Sequence, residues 1–406
     1  MAKSNIRSSF LILTLVIFLG GFKGCVEPFE IEDTISFESA LVIEATITNV
    51  FQEQTVRLTR TFEFEDDGPQ PESNAQVTIQ VDNGTQFQFT EGDSGNYISN
   101  QPFQAEEGRI YTLNIRTADG RNYASREVRL TTDTPLENVS ADRIVAGDGT
   151  EGMAILVDAF DPDNSSNFYR YEYEETYQII SPLWTTEDLI APNGPSDCAV
   201  EVINAPDDVG RVCYASVISN DIILTNTSNL DEDRVSRFVV RFINRNNPII
   251  SHRYSILVRQ FVQSIETFNF FDTLDRISDE GSLFSQVQPG FVAGNVFSLD
   301  NDEEMVLGYF DVATVSEERI FFNYEDFFPN EELPPFFVPC TIVAPPLADP
   351  DTGECILSPQ VFRGDVQFFA TNDDIGDGEG PFLVVPAACG DCTVIGESEV
   401  PSFWIE

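Results

Sequence analysis

The stretch Leu41-Val42-Ile43-Glu44-Ala45-Thr46-Ile47-Thr48 alternates, with Ile43, Ala45 and Ile47 on one side of an extended chain and Glu44, Thr46 and Thr48 on the other. Successive side chains of a strand point to opposite faces, so a period of two predicts a half-buried β-strand, whereas a helix would scatter these residues around its circumference. The pattern returns at Val56 and Leu58, at Val77, Ile79 and Val81, at Phe87 and Phe89, and at Tyr111, Leu113 and Ile115. Between these runs stand Asp82-Asn83-Gly84 and Ala118-Asp119-Gly120-Arg121. Asn-Gly and Asp-Gly supply the positive φ angles that tight hairpins need. About seven short strands without a helical period predict an immunoglobulin-like β-sandwich over residues 37–134.

Thr131-Thr132-Asp133-Thr134-Pro135 reads as a linker, polar and ended by a proline where a strand must stop. Beyond it, residues 135–406 predict a larger β-rich domain. Its strands show as Met153, Ile155 and Val157; as Tyr169, Tyr171 and Tyr173 alternating with Arg170, Glu172 and Glu174; as Phe238, Val240 and Phe242; and as Ile256 and Val258. Residues 181–232 read as a long irregular loop insertion. One helix is expected from Ile265 to Ile277, with Ser264 as N-cap and Ile265, Phe268, Phe271, Leu274 and Ile277 at helical spacing, as a core helix laid on a sheet. Two further strands are expected around the acidic turn Asp300-Asn301-Asp302. The expected class is mostly β: a sandwich followed by a larger β domain that carries one core helix.

The N-terminus has a different character. Lys3 and Arg7 precede an apolar run from Phe10 to Phe22 that ends in Gly24-Cys25. This is the form of a secretory signal peptide over residues 1–24, too short for a stable span, which needs ~20 apolar residues. A cysteine after a small residue at such a boundary is the site bacterial lipoprotein processing acylates, so Cys25 is read as the lipid-bearing residue. The usual pattern has Leu, then Ala or Ser, then Gly or Ala before the cysteine; here it reads Phe22-Lys23-Gly24-Cys25, and Lys23 is a real departure. The acidic segment 25–36 suits a solvated tether. Cys25 is also the odd one of 7 cysteines, so its lipidation leaves an even number to pair.

Residues 1–24 contain three of the 22 basic residues and none of the 68 acidic ones, so from Cys25 onward 19 basic residues, all arginine, face 68 acidic ones, a net charge of −49. Such a surface is repelled by nucleic-acid phosphates, which excludes nucleic acid as an expected partner. A saline habitat, where the Debye length falls to about 3 Å at molar salt, makes the excess carboxylate tolerable.

No motif announces catalysis. Gly92-Asp93-Ser94-Gly95 resembles the surroundings of a serine-protease nucleophile, but the single histidine, His252, lies downstream at the start of a strand, so a turn is expected instead. One histidine also leaves few routes to zinc, copper or haem, and no metal or cofactor is expected. The acidic runs 158–164 and 372–379 are read as solvated loops rather than calcium sites; in the second, Ile375 stands where an oxygen ligand is needed. Cys198, Cys213, Cys340, Cys355, Cys389 and Cys392 are read as disulfide cysteines of an oxidising compartment. Cys198 and Cys213 are expected to bridge across their loop, and the other four allow three connectivities. Carboxylate pairs for a hydrolase are numerous, and none is singled out.

In order along the chain come Leu41-Val42-Ile43-Glu44-Ala45, Asn74-Ala75-Gln76-Val77, Asp93-Ser94-Gly95-Asn96-Tyr97, Gly108-Arg109-Ile110-Tyr111 and Asp119-Gly120-Arg121-Asn122-Tyr123. They are followed by Gly281-Ser282-Leu283-Phe284, Gly294-Asn295-Val296, Leu307-Gly308-Tyr309-Phe310, Cys389-Gly390-Asp391-Cys392 and Pro401-Ser402-Phe403-Trp404. In this order and spacing the chain resembles the Bacteroidetes lipoproteins of the domain-of-unknown-function 4249 family. The resemblance implies an outer-membrane lipoprotein, lipid-anchored and facing the cell exterior. It also implies a non-catalytic accessory or substrate-binding partner of a TonB-dependent receptor, with a ligand the sequence does not name. An envelope adhesin or structural lipoprotein is the alternative.

Overall fold

A computed structural model describes residues 39–63, 68–205, 209–280 and 292–405. The expected signal peptide (1–24), the expected tether (25–36) and Cys25 lie outside the described residues.

The described chain begins with β1 (Leu41–Thr48), β2 (Thr55–Arg60), β3 (Gln70–Pro71), β4 (Gln76–Val81), β5 (Gln86–Glu91), β6 (Asn96–Ser99), β7 (Ile110–Arg116), β8 (Asn122–Ser125) and β9 (Val128–Arg129). It continues through β10 (Leu136–Val145), β11 (Glu151–Asp161), β12 (Phe168–Ile180), β13 (Glu187–Ile190), β14 (Glu201–Asn204), β15 (Val212–Ile218), β16 (Ile223–Asn226), β17 (Asp233–Asn244) and β18 (Arg253–Val262). Helix α1 (Ile265–Glu280) follows, then β19 (Val296–Ser298), β20 (Val306–Ala313) and β21 (Val315–Asn323). Short helices α2 (Tyr324–Phe327) and α3 (Leu357–Arg363), the pair β22 (Val366–Thr371) and β23 (Phe382–Pro386), and the turn α4 (Ala387–Gly390) complete it. The mostly β expectation holds.

The alternation at residues 41–48 does what its period requires. Leu41, Ile43, Ala45 and Ile47 are buried while Glu44 is exposed. Their partners in one core are Val56 and Leu58, Val77 and Ile79, Tyr111 and Leu113, and Phe310 and Val312. The strands form one sheet in the order β19-β8-β7-β4-β5-β6-β2-β1-β20, with β3 on β2 and β9 on β7. Residues 296–313, which the sequence places within the larger domain, thus complete the first sheet. β20 runs parallel to β1, with Gly308 opposite Ile43 and Phe310 opposite Ala45. At its other end β19 pairs with β8 and lies against β20, so the sheet nearly closes on itself.

Closure demands a close backbone approach. Gly308 has φ +94°, and a Cβ there would fall 1.8 Å from the Ile43 carbonyl oxygen. A Cβ on Gly294 would fall 1.6 Å from the Gly308 carbonyl oxygen. Only glycine fits either place without displacing backbone. Asn295 seals the gap: its Nδ2 donates to the Phe310 carbonyl at 2.7 Å and its Oδ1 accepts from the Phe310 N–H at 2.8 Å. The side-chain amide thus pairs backbone groups that would otherwise be buried alone.

A second core lies between the three-stranded sheet β10-β11-β17 and the sheet β15-β12-β18-β21, with β16 also on β12. Met153, Ile155 and Val157 face Tyr169, Tyr171 and Tyr254 within it. The tyrosine hydroxyls, which cannot be buried alone without cost, donate to Asp233 (2.8 Å), Gln260 (2.9 Å) and Glu175 (2.6 Å) respectively. Glu175 is also held by Arg241 through two bonds of 3.2 and 3.1 Å.

The supposed irregular insertion 181–232 contains β13, β14, β15 and β16. Its alternation is illegible because β14 is exposed on both faces. The pair β13-β14 packs with α3, β22 and β23 around Leu189, Leu357, Phe368 and Val384. Disulfides fix this arrangement, and they correct the expected Cys198–Cys213 bridge. Cys198 bonds Cys355, Cys213 bonds Cys392, and Cys340 bonds Cys389. The reason is topological: Cys213 sits on β15 beside Ile179, while Cys198 follows β13 toward α3, so different elements carry the two residues to different partners.

Asn295→Ala is expected to cost about 2 kcal/mol by leaving the buried Phe310 N–H and C=O unpaired. Gly308→Ala is expected to cost about 3 kcal/mol or more through clash and strain. Urea unfolding measures both, and values within about 0.5 kcal/mol of the parent protein would contradict the closure described here.

Candidate functional site

The two faces of β1 and β20 lead to different places. Their inward residues fill the first core, while Val42, Glu44 and Thr46 of β1 and Leu307 and Tyr309 of β20 line a cavity of about 790 Å3. Volumes of roughly 300–1,000 Å3 are typical of small-molecule pockets. The opposite walls are Phe270, Phe271 and Leu274 of α1, and Arg170 and Glu172 of β12.

Helix α1 forms where its cap predicts, with the Thr267 N–H donating to Ser264 Oγ at 3.1 Å. Phe268 packs inward against Phe168, with ring centroids 5.0 Å apart. Ile265, expected in the core, is 51% exposed. Phe271 and Leu274 are only half-buried because they face the cavity, so the apolar stripe serves as wall as well as core. Phe270 lies against Tyr309 at 4.9 Å.

Arg170 is the buried cation on these walls, 7% exposed. Its guanidinium lies 4.4 Å from the Phe261 ring centroid and 4.8 Å from that of Phe271, and its Nη1 donates to Glu172. Its Nε is buried with no hydrogen-bond partner among the described residues. Asp311, 2% exposed, accepts from Gln263 Nε2 at 2.9 Å and Thr267 Oγ1 at 3.1 Å. Burial pushes the Asp311 carboxyl above the usual aspartate range, against the opposing pull of Arg170 and these hydrogen bonds. Nearer the surface Arg57 pairs with Glu44 at 3.7 Å. The site is therefore a partly aromatic chamber whose walls also carry Glu44, Arg57, Glu172 and Asp311, with Arg170 as its buried cation, already paired with Glu172.

Sequence reading did not single out Arg170 or Asp311. Arg170 falls on the face opposite Tyr169 and Tyr171, which in a one-sided sheet would be solvent, but here α1 covers it. An acidic residue within the apolar run Tyr309-Phe310-Asp311-Val312 was the available signal for the other.

Residues singled out earlier lie elsewhere. Ser94 is in a single turn between β5 and β6 at φ +56°, and His252 precedes β18, with burial lowering its pKa. Asp161 is committed to its own loop, accepting from the backbone N–H groups of Asp163, Ser165 and Ser166 and from the Ser165 hydroxyl; these bonds outweigh burial and lower its pKa. Glu379 likewise accepts from the Gly376 N–H at 3.0 Å. The six described cysteines are consumed in the three disulfides. In a second cavity, of about 850 Å3 beside His252, Glu331 is engaged with Arg143 and Arg245, and Arg253 with the Ile405 carbonyl and Asn323, while Glu325 also lines it. Among the described residues no helix is long and apolar enough to cross a membrane.

A family model described as "Domain of unknown function (DUF4249)" matches residues 26–319. No curated protein matches. Among solved structures, a DUF4785 family protein from Legionella pneumophila subsp. pneumophila str. Philadelphia 1 is similar at 8% identity and a TM-score of 0.17, over 54% of this chain and 51% of that one. The chain thus spans about half the length of that relative. The B domain of a biofilm associated protein is similar at 6% identity and a TM-score of 0.13, over 71% of this chain and 89% of that one. At such scores neither likeness bears on the fold or the function.

Asp311 yields a prediction of definite sign. A carboxyl raised in the folded state binds its proton more tightly there than in the unfolded chain. Its contribution to stability is therefore complete below the ordinary aspartate value and is lost as pH rises through the elevated folded value. Asp311→Asn should flatten that fall in urea stability with rising pH. Parallel profiles for the two proteins would contradict the assignment.

Proposed function

The chain belongs to the DUF4249 family, and from that premise we propose that it is an exported Bacteroidetes lipoprotein, anchored to the outer membrane by a lipid on Cys25 and facing the cell exterior. There it acts without catalysis as the accessory, substrate-binding partner of a TonB-dependent outer-membrane transporter. The observation that carries the binding reading is the chamber between β1, β20, β12 and α1, with apolar walls and a buried Arg170. Supporting a binding rather than a reacting role, the two buried or half-buried carboxylates on its walls have partners, Glu172 in Arg170 and Asp311 in Gln263 and Thr267, while the exposed Glu44 lies 3.7 Å from Arg57.

The tether and its lipid site supply the location. The signal-like segment ending at Gly24-Cys25 and the acidic residues after it are consistent with acylation and a solvated stalk. A single acyl chain gives only marginal membrane binding, so the diacylglycerol of a bacterial lipoprotein suits stable anchoring. The disulfides Cys198–Cys355, Cys213–Cys392 and Cys340–Cys389 fit an oxidising compartment.

In the native host, Cys25→Ser should move the protein from the membrane to the soluble fraction. Mild crosslinking of the unaltered protein should recover a β-barrel receptor with it. A Cys25→Ser protein that stays with the membrane would contradict the anchor. Recovery of the lipoprotein alone would contradict the transporter partnership.

A further inference from the structure

Val42 of β1, Leu307 and Tyr309 of β20, and Phe270, Phe271 and Leu274 of α1 line the chamber, and all are only half-buried. Phe270 centres an aromatic cluster among them, with ring centroids 5.4 Å from Phe271 and 4.9 Å from Tyr309. Apolar surface facing water inside a concavity favours an apolar body that displaces the water. The wall charges restrict what that body can carry. Glu172 is paired with Arg170, Glu44 lies 3.7 Å from Arg57, and Asp311 accepts from Gln263 and Thr267. Arg170 Nε, buried without a partner among the described residues, is enclosed and out of a ligand's reach. Charges of both signs thus stand together, and neither is presented alone. An ionised head group entering here would lose hydration with no unpaired counter-charge to meet it, or would have to break a pair already made.

We propose that the chamber is a binding site for an uncharged, predominantly apolar small molecule, seated against the Phe270 cluster between α1 and β20. This rests on the ligand-binding reading above and adds the chemical class of the ligand. Phe270, Phe271 and Tyr309 supply flat faces for an aromatic ring, and Val42, Leu274 and Leu307 complete an apolar surround. The acidic excess of the whole chain repels anions at long range, whereas the matched charges of the chamber disfavour either sign at contact. Only the second effect survives molar salt, where the Debye length is about 3 Å.

Naphthylmethanol, naphthylacetate and naphthylmethylammonium share one ring system and carry, respectively, no charge, a negative charge and a positive charge. Titration calorimetry in molar salt compares them on the exported Cys25→Ser protein, which needs no detergent. The alcohol is expected to bind once per chain, about tenfold or more tighter than either ion. Thr46→Trp on the β1 wall and Leu274→Trp on the α1 wall should each abolish that binding by filling the chamber. Near-UV circular dichroism identifies a variant that has lost its fold, and the comparison of probes on the parent protein stands without either variant. Equal affinities, tighter binding of either ion, no binding of the alcohol, or alcohol binding that survives a substitution in a folded protein overturns the proposal. An ion that binds tightest leaves the chamber as a ligand site and removes only the uncharged class, whereas no binding of any probe removes both. Receptor recovery by crosslinking is read separately and bears only on the transporter role.

Discussion

The parallel ladder between β1 and β20 is the contact on which the other features depend. It joins residues 41–48 to residues 306–313, so that a strand near the start of the described chain takes its last partner from beyond α1. Parallel pairing at that separation has a high entropic cost before it gains anything. Two glycines and one amide make it possible. Gly308 lets the Ile43 carbonyl approach, Gly294 lets the Gly308 carbonyl approach, and Asn295 pairs both backbone groups of Phe310. One face of the ladder completes the first core, and the other becomes a wall of the chamber. The same register that buries Ile43 and Phe310 therefore presents Val42, Glu44, Leu307 and Tyr309 to the chamber.

How much of this was legible in the sequence depends on how local the cause is. The strand at 41–48 was legible because only one of its faces is buried against the core. Helix α1 was legible because Ser264 caps it through a local hydrogen bond to the Thr267 N–H. The return of residues 296–313 to the first sheet was not, since no local period encodes a partner as far off as Val306 is from Leu41 or Val296 from Ser125. The motifs Gly294-Asn295-Val296 and Leu307-Gly308-Tyr309-Phe310 were visible as words, but their meeting was not. Cysteine pairing failed for the same reason: Cys198 and Cys213 are near in sequence, yet they lie on elements that pack against different parts of the C-terminal region. Arg170 was read as the outward member of an alternating strand, which is correct for its direction and wrong for its surroundings.

The use of arginine as the sole basic side chain after Lys23, His252 apart, also has a structural correlate. Arg143, Arg170, Arg234, Arg241, Arg253 and Arg319 lie over aromatic rings as well as near carboxylates or backbone acceptors. A guanidinium can stack and pair at once, whereas an ammonium is more strongly hydrated and lacks a flat face. With 34 phenylalanines and 11 tyrosines available, each of these six arginines supports packing while offsetting part of the acidic excess. Arg170 is the member of this set with a buried nitrogen, Nε, that has no hydrogen-bond partner among the described residues.

Native-state hydrogen exchange tests the closure most directly. Amides of residues 41–48 and 306–313 should exchange with the same opening free energy and the same denaturant dependence, because neither strand can leave the ladder alone without exposing the first core. Residues 306–313 exchanging in a separate, much less stable opening while residues 41–48 stay protected would mean that β20 is an appendage. The closed sheet, and the chamber built on it, would then be contradicted.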